Sequence, residues 1–190
     1  QRKEPRDEAP RPRALFTSNP ERGLEWVVRL WTERVEPQVG AAELHVFSGA
    51  STYGGRKAER MAAIVERARA GAGDSVRFHE PVRRSDLVQE LAEARLMIYP
   101  GDPGETFCQA AAEAQAMGVP LVTQPIGSLP ERVEHGRSGF VAADPGDFAE
   151  ACVRLLSDDA LWRAQHQAAL QSARWTGWDT AATRFADLVE

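Results

Sequence analysis

Leu96-Met-Ile-Tyr-Pro100-Gly-Asp-Pro-Gly-Glu105-Thr-Phe-Cys-Gln-Ala-Ala-Ala-Glu113-Ala-Gln-Ala-Met-Gly118-Val-Pro120 passes from a short apolar run, through a turn, into an alanine-rich stretch. Four consecutive apolar residues with no polar alternation suit a strand buried on both faces. Pro100, Gly101, Pro103 and Gly104 bend the chain off that strand. Thr106-Phe107-Cys108 is then expected to open a helix that runs to Met117. Its first-turn amides lack internal partners and its dipole favours an anion, so a diphosphate could dock there.

The same alternation extends on both sides. Apolar runs at Ala14–Thr17, Glu43–Ser48, Ser75–His79, Pro120–Thr123 and Gly139–Val141 predict five further strands. Amphipathic stretches at Glu21–Glu36, Arg56–Ala70 and Ser85–Ala94 predict the helices between them. Strand–helix alternation of this kind predicts a doubly wound, Rossmann-like α/β fold with about six parallel strands flanked by helices. Beyond it, Phe148–Leu156, Ala160–Ala173 and Asp179–Val189 predict an all-helical C-terminal segment, with Trp175 and Trp178 at the joint between the last two. Residues 1–12 (QRKEPRDEAPRP) mix both charges with prolines, which predicts a linker or disordered tail before a single domain at 13–190.

Composition narrows the function. A net charge of −5 offers nucleic acid no continuous basic face. Cys108 and Cys152 match no metal or disulfide spacing, so a reducing, cytoplasmic setting is expected, at most peripheral at the inner membrane surface. No apolar run reaches the length of a membrane span. His45, His79, His135 and His166 show no ligand spacing, and Asp158-Asp159 suits a helix cap better than a metal site. A chain that opens on Gln and a charged tail is expected to be a piece of a longer protein.

In open α/β sheets ligands bind at the carboxyl ends of the strands. Glu105 stands at the mouth of the turn, placed to accept sugar hydroxyls. Glu113 follows eight residues later, roughly 12 Å along a continuous helix. A carboxylate suits a vicinal diol, which offers two donors to one acceptor group. Spacing alone decides nothing, since Glu25 and Glu33 form another such pair. Only Glu105 and Glu113 straddle a proline- and glycine-rich strand-to-helix turn.

Residues 99–147 resemble the C-terminal domain of the retaining glycosyltransferases of the GT4 family, which have the GT-B fold. The likeness rests on Glu105, on Glu113-Ala-Gln-Ala-Met-Gly-Val-Pro120, on Gly127-Ser-Leu-Pro-Glu131 and on Gly136-Arg-Ser-Gly139. It extends back to Asn19-Pro-Glu-Arg-Gly23 and forward to the region of Trp178.

The resemblance implies a hexosyltransferase-type donor domain for a nucleotide-sugar such as a UDP- or GDP-sugar, with no cofactor and no bound metal. By that likeness Glu105 is the donor-sugar carboxylate and Arg22 the cation on the distal phosphate. Glu113 holds the ribose, Thr106, Phe107 and Cys108 lie against the diphosphate, and the turn at Val82 meets the base. A glycan, lipid or protein acceptor would bind an absent N-terminal domain, so this piece alone is expected to be inactive.

Two positions depart from the family pattern. Thr17 stands where a second phosphate cation is usual, and Cys108 replaces a common glycine. They leave open a non-catalytic or degenerate module that serves interaction or a split enzyme. An unrelated enzyme of the same layout, such as a sugar-nucleotide epimerase, would need an acid/base pair that the sequence does not offer.

Overall fold

In a computed structural model the described residues are 4–49, 54–173, 182–183 and 185–187. Trp175, Trp178 and most of the predicted closing helix therefore lie outside the described residues.

Six parallel strands form one sheet, in the order β3-β2-β1-β4-β5-β6. They are β1 (Arg13–Phe16), β2 (Glu43–Phe47), β3 (Val76–His79), β4 (Leu96–Tyr99), β5 (Leu121–Thr123) and β6 (Gly139–Val141). Every one of the six expected runs is a strand. The helices are α1 (Leu24–Leu30), α2 (Glu36–Val39), α3 (Gly55–Ala70), α4 (Arg84–Ala92), α5 (Gln109–Ala116), α6 (Leu129–Arg132), α7 (Pro145–Ser157) and α8 (Asp159–Ser172). A wide π turn at Trp31–Val35 joins α1 to α2. Pro37 has no N–H to give to the carbonyl four residues back, which accounts for the shifted ladder there.

Alternate side chains of the strands feed two cores. Ala14, Phe16, Leu44, Val46, Leu96 and Ile98 join α1, α3 and α7 on one face. Leu15, Phe47, Met97, Tyr99 and Leu121 join α4, α5 and α6 on the other. Helices therefore leave the sheet to opposite faces after β1 and after β4, and those two strands are neighbours. A crevice opens at such a reversal, beyond the carboxyl ends of the strands.

Residues 6–12 have no helix or strand but are tied along the domain. Arg6 donates its N–H to His166 Nε2 at 3.1 Å, Arg163 donates to the carbonyl of Asp7 at 2.7 Å, and Glu43 donates its N–H to Pro12 at 3.1 Å. Asp158 caps α8 through its side chain, which accepts from Ala160 and Leu161.

A polar cluster lies between the sheet and α4. Arg13, 3% exposed, reaches Glu90 on α4, Glu93 just past its end, and His45 Nδ1 on β2 at 2.8 Å. His79 on β3 stacks on His45 and meets the same Nδ1 at 3.0 Å. Because Nδ1 accepts from Arg13, His45 carries its proton on Nε2, which faces Glu43 at 3.2 Å. Arg77 also pairs with Glu43.

Burial lowers the pKa of His45, and the nearby Arg13 and His79 charges add to it against the opposing pull of Glu43. Burial likewise lowers that of His79, with Arg13 adding to it and Glu90 opposing. Burial also lowers that of His166, packed on Gly118.

The folded state thus keeps three imidazoles neutral, and the unfolded chain binds more protons below its own His pKa of about 6.5. Their contribution to stability is complete above that pH and is lost as pH falls through it. The melting temperature should be flat from about pH 8 to 7 and fall from about pH 6.5 to 5. Replacing His45 and His79 by Gln should shallow that slope. A melting temperature that rises over the acidic interval contradicts the assignment.

Candidate functional site

The loops after β1, β4 and β5 meet at the carboxyl edge, and two glycines permit the approach. Gly23 has φ +93°, and a Cβ there would stand 2.7 Å from Pro100 Cγ. Gly127 has φ +56°, and its Cβ would stand 2.5 Å from the carbonyl oxygen of Glu105. That same carbonyl accepts the N–H of Ser128 at 3.0 Å, tying the β5–α6 loop to the β4–α5 loop.

Arg22 and Glu105 come together as expected. Arg22 Nη1 lies 3.8 Å from Glu105 Oε2 and 2.6 Å from Asp102 Oδ1. Glu105 is largely buried, with its side chain 15% exposed. Tyr99 donates its hydroxyl to Oε2, and Cys108 donates its N–H to Oε1 at 3.0 Å. Burial raises the Tyr99 phenol above its ordinary range, and the hydrogen bond to Glu105 adds to this, so it stays a donor. Burial also pushes the Cys108 thiol up to about 11, which leaves it protonated at neutral pH and a poor nucleophile.

The helix begins later than expected. Cys108 has φ +56°, the one positive φ among described non-glycine residues, and α5 starts at Gln109. Thr106 and Phe107 therefore lie in the turn, exposed, and not in a helix. The carboxylate of Glu105 takes the Cys108 amide, which closes a tight turn where a first helical turn was expected. The helical distance drawn between Glu105 and Glu113 falls with it, since only Gln109 to Glu113 is helical. Left-handed backbone at Cys108 also explains why a glycine would suit that position.

Glu113 is 19% exposed and is held through one oxygen. Arg84 at the start of α4 meets Oε1 at 2.8 Å, and Gln109 donates to the same atom at 3.1 Å. A cavity of about 160 Å³ between α4 and α5 runs past this pair to Leu87, Leu91 and Met117. Val82 is 41% exposed in the turn leading into α4. On the opposite flank, Arg132 lies over the Phe107 ring at 3.8 Å and donates to the Phe107 carbonyl at 2.6 Å. Thr17 is turned to Met97, with its Oγ1 3.9 Å from the sulfur.

Sequence reasoning missed Tyr99, Asp102, Arg84 and Arg132. Arg84 is a cation at a helix start, an unfavourable place beside the helix dipole that hints at an anionic partner. Tyr99 reads as one more apolar strand residue, and nothing short of the fold aims its hydroxyl at Glu105.

A six-stranded parallel, Rossmann-like sheet flanked by helices, with charged side chains gathered at its reversal point, has the layout of a GT-B glycosyltransferase domain. The profile of the family described as "Glycosyl transferases group 1" matches residues 11–158, and the chain belongs to that family, in its GT4 branch. D-inositol 3-phosphate glycosyltransferase of Streptomyces avermitilis is 36% identical over 145 residues, 75% of this chain and 31% of that protein. The chain thus spans about a third of the length of the curated relatives it matches.

The fold is shared with solved structures, of which two serve as examples. Sucrose-phosphate synthase of Thermosynechococcus elongatus superposes with a TM-score of 0.75 at 22% identity, over 94% of this chain and 45% of that one. Anabaena HepE, solved with UDP-glucose, gives 0.74 at 17% identity, over 94% and 48%. No described helix is long and apolar enough to cross a membrane.

Gly127→Ala places a side chain against backbone in a left-handed conformation, so it should cost about 1–3 kcal/mol in denaturant unfolding. Gly54→Ala, at φ −115° with nothing within 4 Å, is the control and should leave stability unchanged. Equal stability of the two variants contradicts the close approach of the loops.

Proposed function

We propose that this chain binds a nucleotide-sugar donor at the reversal between β1 and β4 for retaining transfer of the sugar to an acceptor. The observation that carries the reading is the meeting of Arg22 and Glu105 at the mouth of α5. A diphosphate there has the guanidinium of Arg22 and the amides of the first turn of α5 within its surroundings. Glu105 keeps lone pairs beyond those used by Tyr99 and Cys108, since a carboxylate has about four acceptor positions. These receive the sugar hydroxyls.

Glu113 presents Oε2, the oxygen that neither Arg84 nor Gln109 engages, to the ribose diol. Val82 and its turn face the base. Thr106 and Phe107 line the outer side of the diphosphate.

In the reaction Arg22 stabilises charge that collects on the departing diphosphate. The acceptor attacks from the face that the diphosphate leaves, and a phosphate oxygen draws the acceptor's proton. No protein nucleophile takes part, which agrees with a Cys108 thiol kept protonated. The acceptor, a glycan, lipid or protein, is held by a second domain. A second reading, a module of this fold kept for interaction, draws on Thr17 and on the Asp102 carboxylate already paired with Arg22.

A thermal-shift panel of UDP-, GDP- and ADP-sugars separates the two. A ligand bound only by the folded chain stabilises it by about 2.7 kcal/mol at a hundredfold excess over Kd, several degrees for a domain of this size. One donor class should give a saturable shift, and Arg22→Ala and Glu113→Ala should each abolish most of it. If no nucleotide shifts the melt and calorimetry shows no binding, the interaction module replaces the donor domain.

A further inference from the structure

The charges around Arg22 do not favour an incoming anion. One guanidinium faces two carboxylates, Asp102 at 2.6 Å and Glu105 at 3.8 Å, and Thr17 supplies no second cation. Asp102 is fixed in this role by its own loop. Its Oδ1 accepts the N–H of Gly104 at 2.9 Å, and its carbonyl accepts the N–H of Glu105 at 2.9 Å. The same Oδ1 touches Arg22. The contact is close, yet Arg22 Nη1 is a buried donor left without an aligned hydrogen bond. Asp102 therefore offers Arg22 charge without satisfying its donor geometry, which an oxygen arriving in line with the N–H can do.

We infer that Asp102 is a resident anion that competes with the donor's diphosphate for Arg22, and that its charge weakens the hold on the leaving nucleoside diphosphate more than on the sugar nucleotide. This rests on the donor-site reading above.

Its chemistry is simple. In the sugar nucleotide the terminal phosphate is esterified. After transfer that phosphate has a free oxygen whose second ionisation, with a pKa of about 6, adds a further negative charge at neutral pH. Arg22 Nη1 itself is covered, but the Arg22 and Asp102 side chains as a whole are 30% and 37% exposed, so water screens their effect on an incoming charge strongly. At a separation of about 6 Å in a water-like dielectric, one unit charge changes the affinity of another about threefold. Asp102 thus lowers affinity for both ligands and lowers it by about threefold more for the product. A fixed carboxylate at this position favours release of the product from a site that must otherwise grip the same diphosphate.

Asp102→Asn isolates the charge, because the amide oxygen can still accept from Gly104. Calorimetric titrations of wild type and variant, at low and at moderate salt, would use three pairs: UDP and UDP-glucose, GDP and GDP-mannose, ADP and ADP-glucose. For the pair that wild type binds, the variant should bind both ligands more tightly, with a gain about threefold larger for the free diphosphate. Added salt should shrink the difference. If the variant binds both ligands equally or more weakly, Asp102 serves to orient Arg22 and the inference is overturned while the donor site stands. If neither chain binds any of the six compounds, the donor-site reading fails and takes the inference with it. A melting temperature of the variant close to that of wild type confirms that the loop is intact.

Discussion

The reversal of strand order between β1 and β4 governs the rest of the structure. Helices turn to opposite faces of the sheet at that seam, which opens a crevice at its carboxyl end. The loops that border it must approach each other closely, and they do so through Gly23 against Pro100 and Gly127 against Glu105. Backbone contact leaves little freedom for the side chains carried by these loops. Arg22, Asp102 and Glu105 are brought together by that constraint, and their mutual charges then decide what the crevice can hold.

Polar groups near the crevice are tied down from behind. Tyr99 sits in the apolar core of one face and sends only its hydroxyl to Glu105. Arg84 and Gln109 share one oxygen of Glu113, which orients the other. Such support fixes a carboxylate without using all its acceptor positions, a favourable arrangement for recognising a diol. The imidazoles beneath α4 work differently. They are held neutral beside Arg13, and they link the packing of α4, which carries Arg84, to the protonation of the sheet.

Much of this was legible from residues. All six strands could be read because buried parallel strands are short, apolar and bounded by turn residues. The rule that ligands meet open sheets at carboxyl edges singled out the turn that carries Glu105, and the resemblance to the GT4 glycosyltransferases implied Arg22 beside it. The start of α5 could not be read, because Thr106-Phe107-Cys108 has no local mark of the left-handed turn at Cys108; a glycine there would have been one. Asp102 was passed over as a loop acid, since the partner that gives it meaning is eighty residues away in sequence. The tail at residues 6–12 looked like linker by composition, yet its backbone bonds to α8 and β2 depend on tertiary neighbours that composition cannot reveal.

The central claim is that a diphosphate binds across Arg22 and the first turn of α5. Backbone amide NMR of the full chain during titration with UDP, GDP and ADP tests it residue by residue. The account predicts that one nucleotide moves the amide signals of Arg22, Cys108, Gln109 and Ala110 together and saturably, while those of α3 and α7 stay in place. Saturable changes confined to another surface, with Gln109 and Ala110 unmoved, would contradict it.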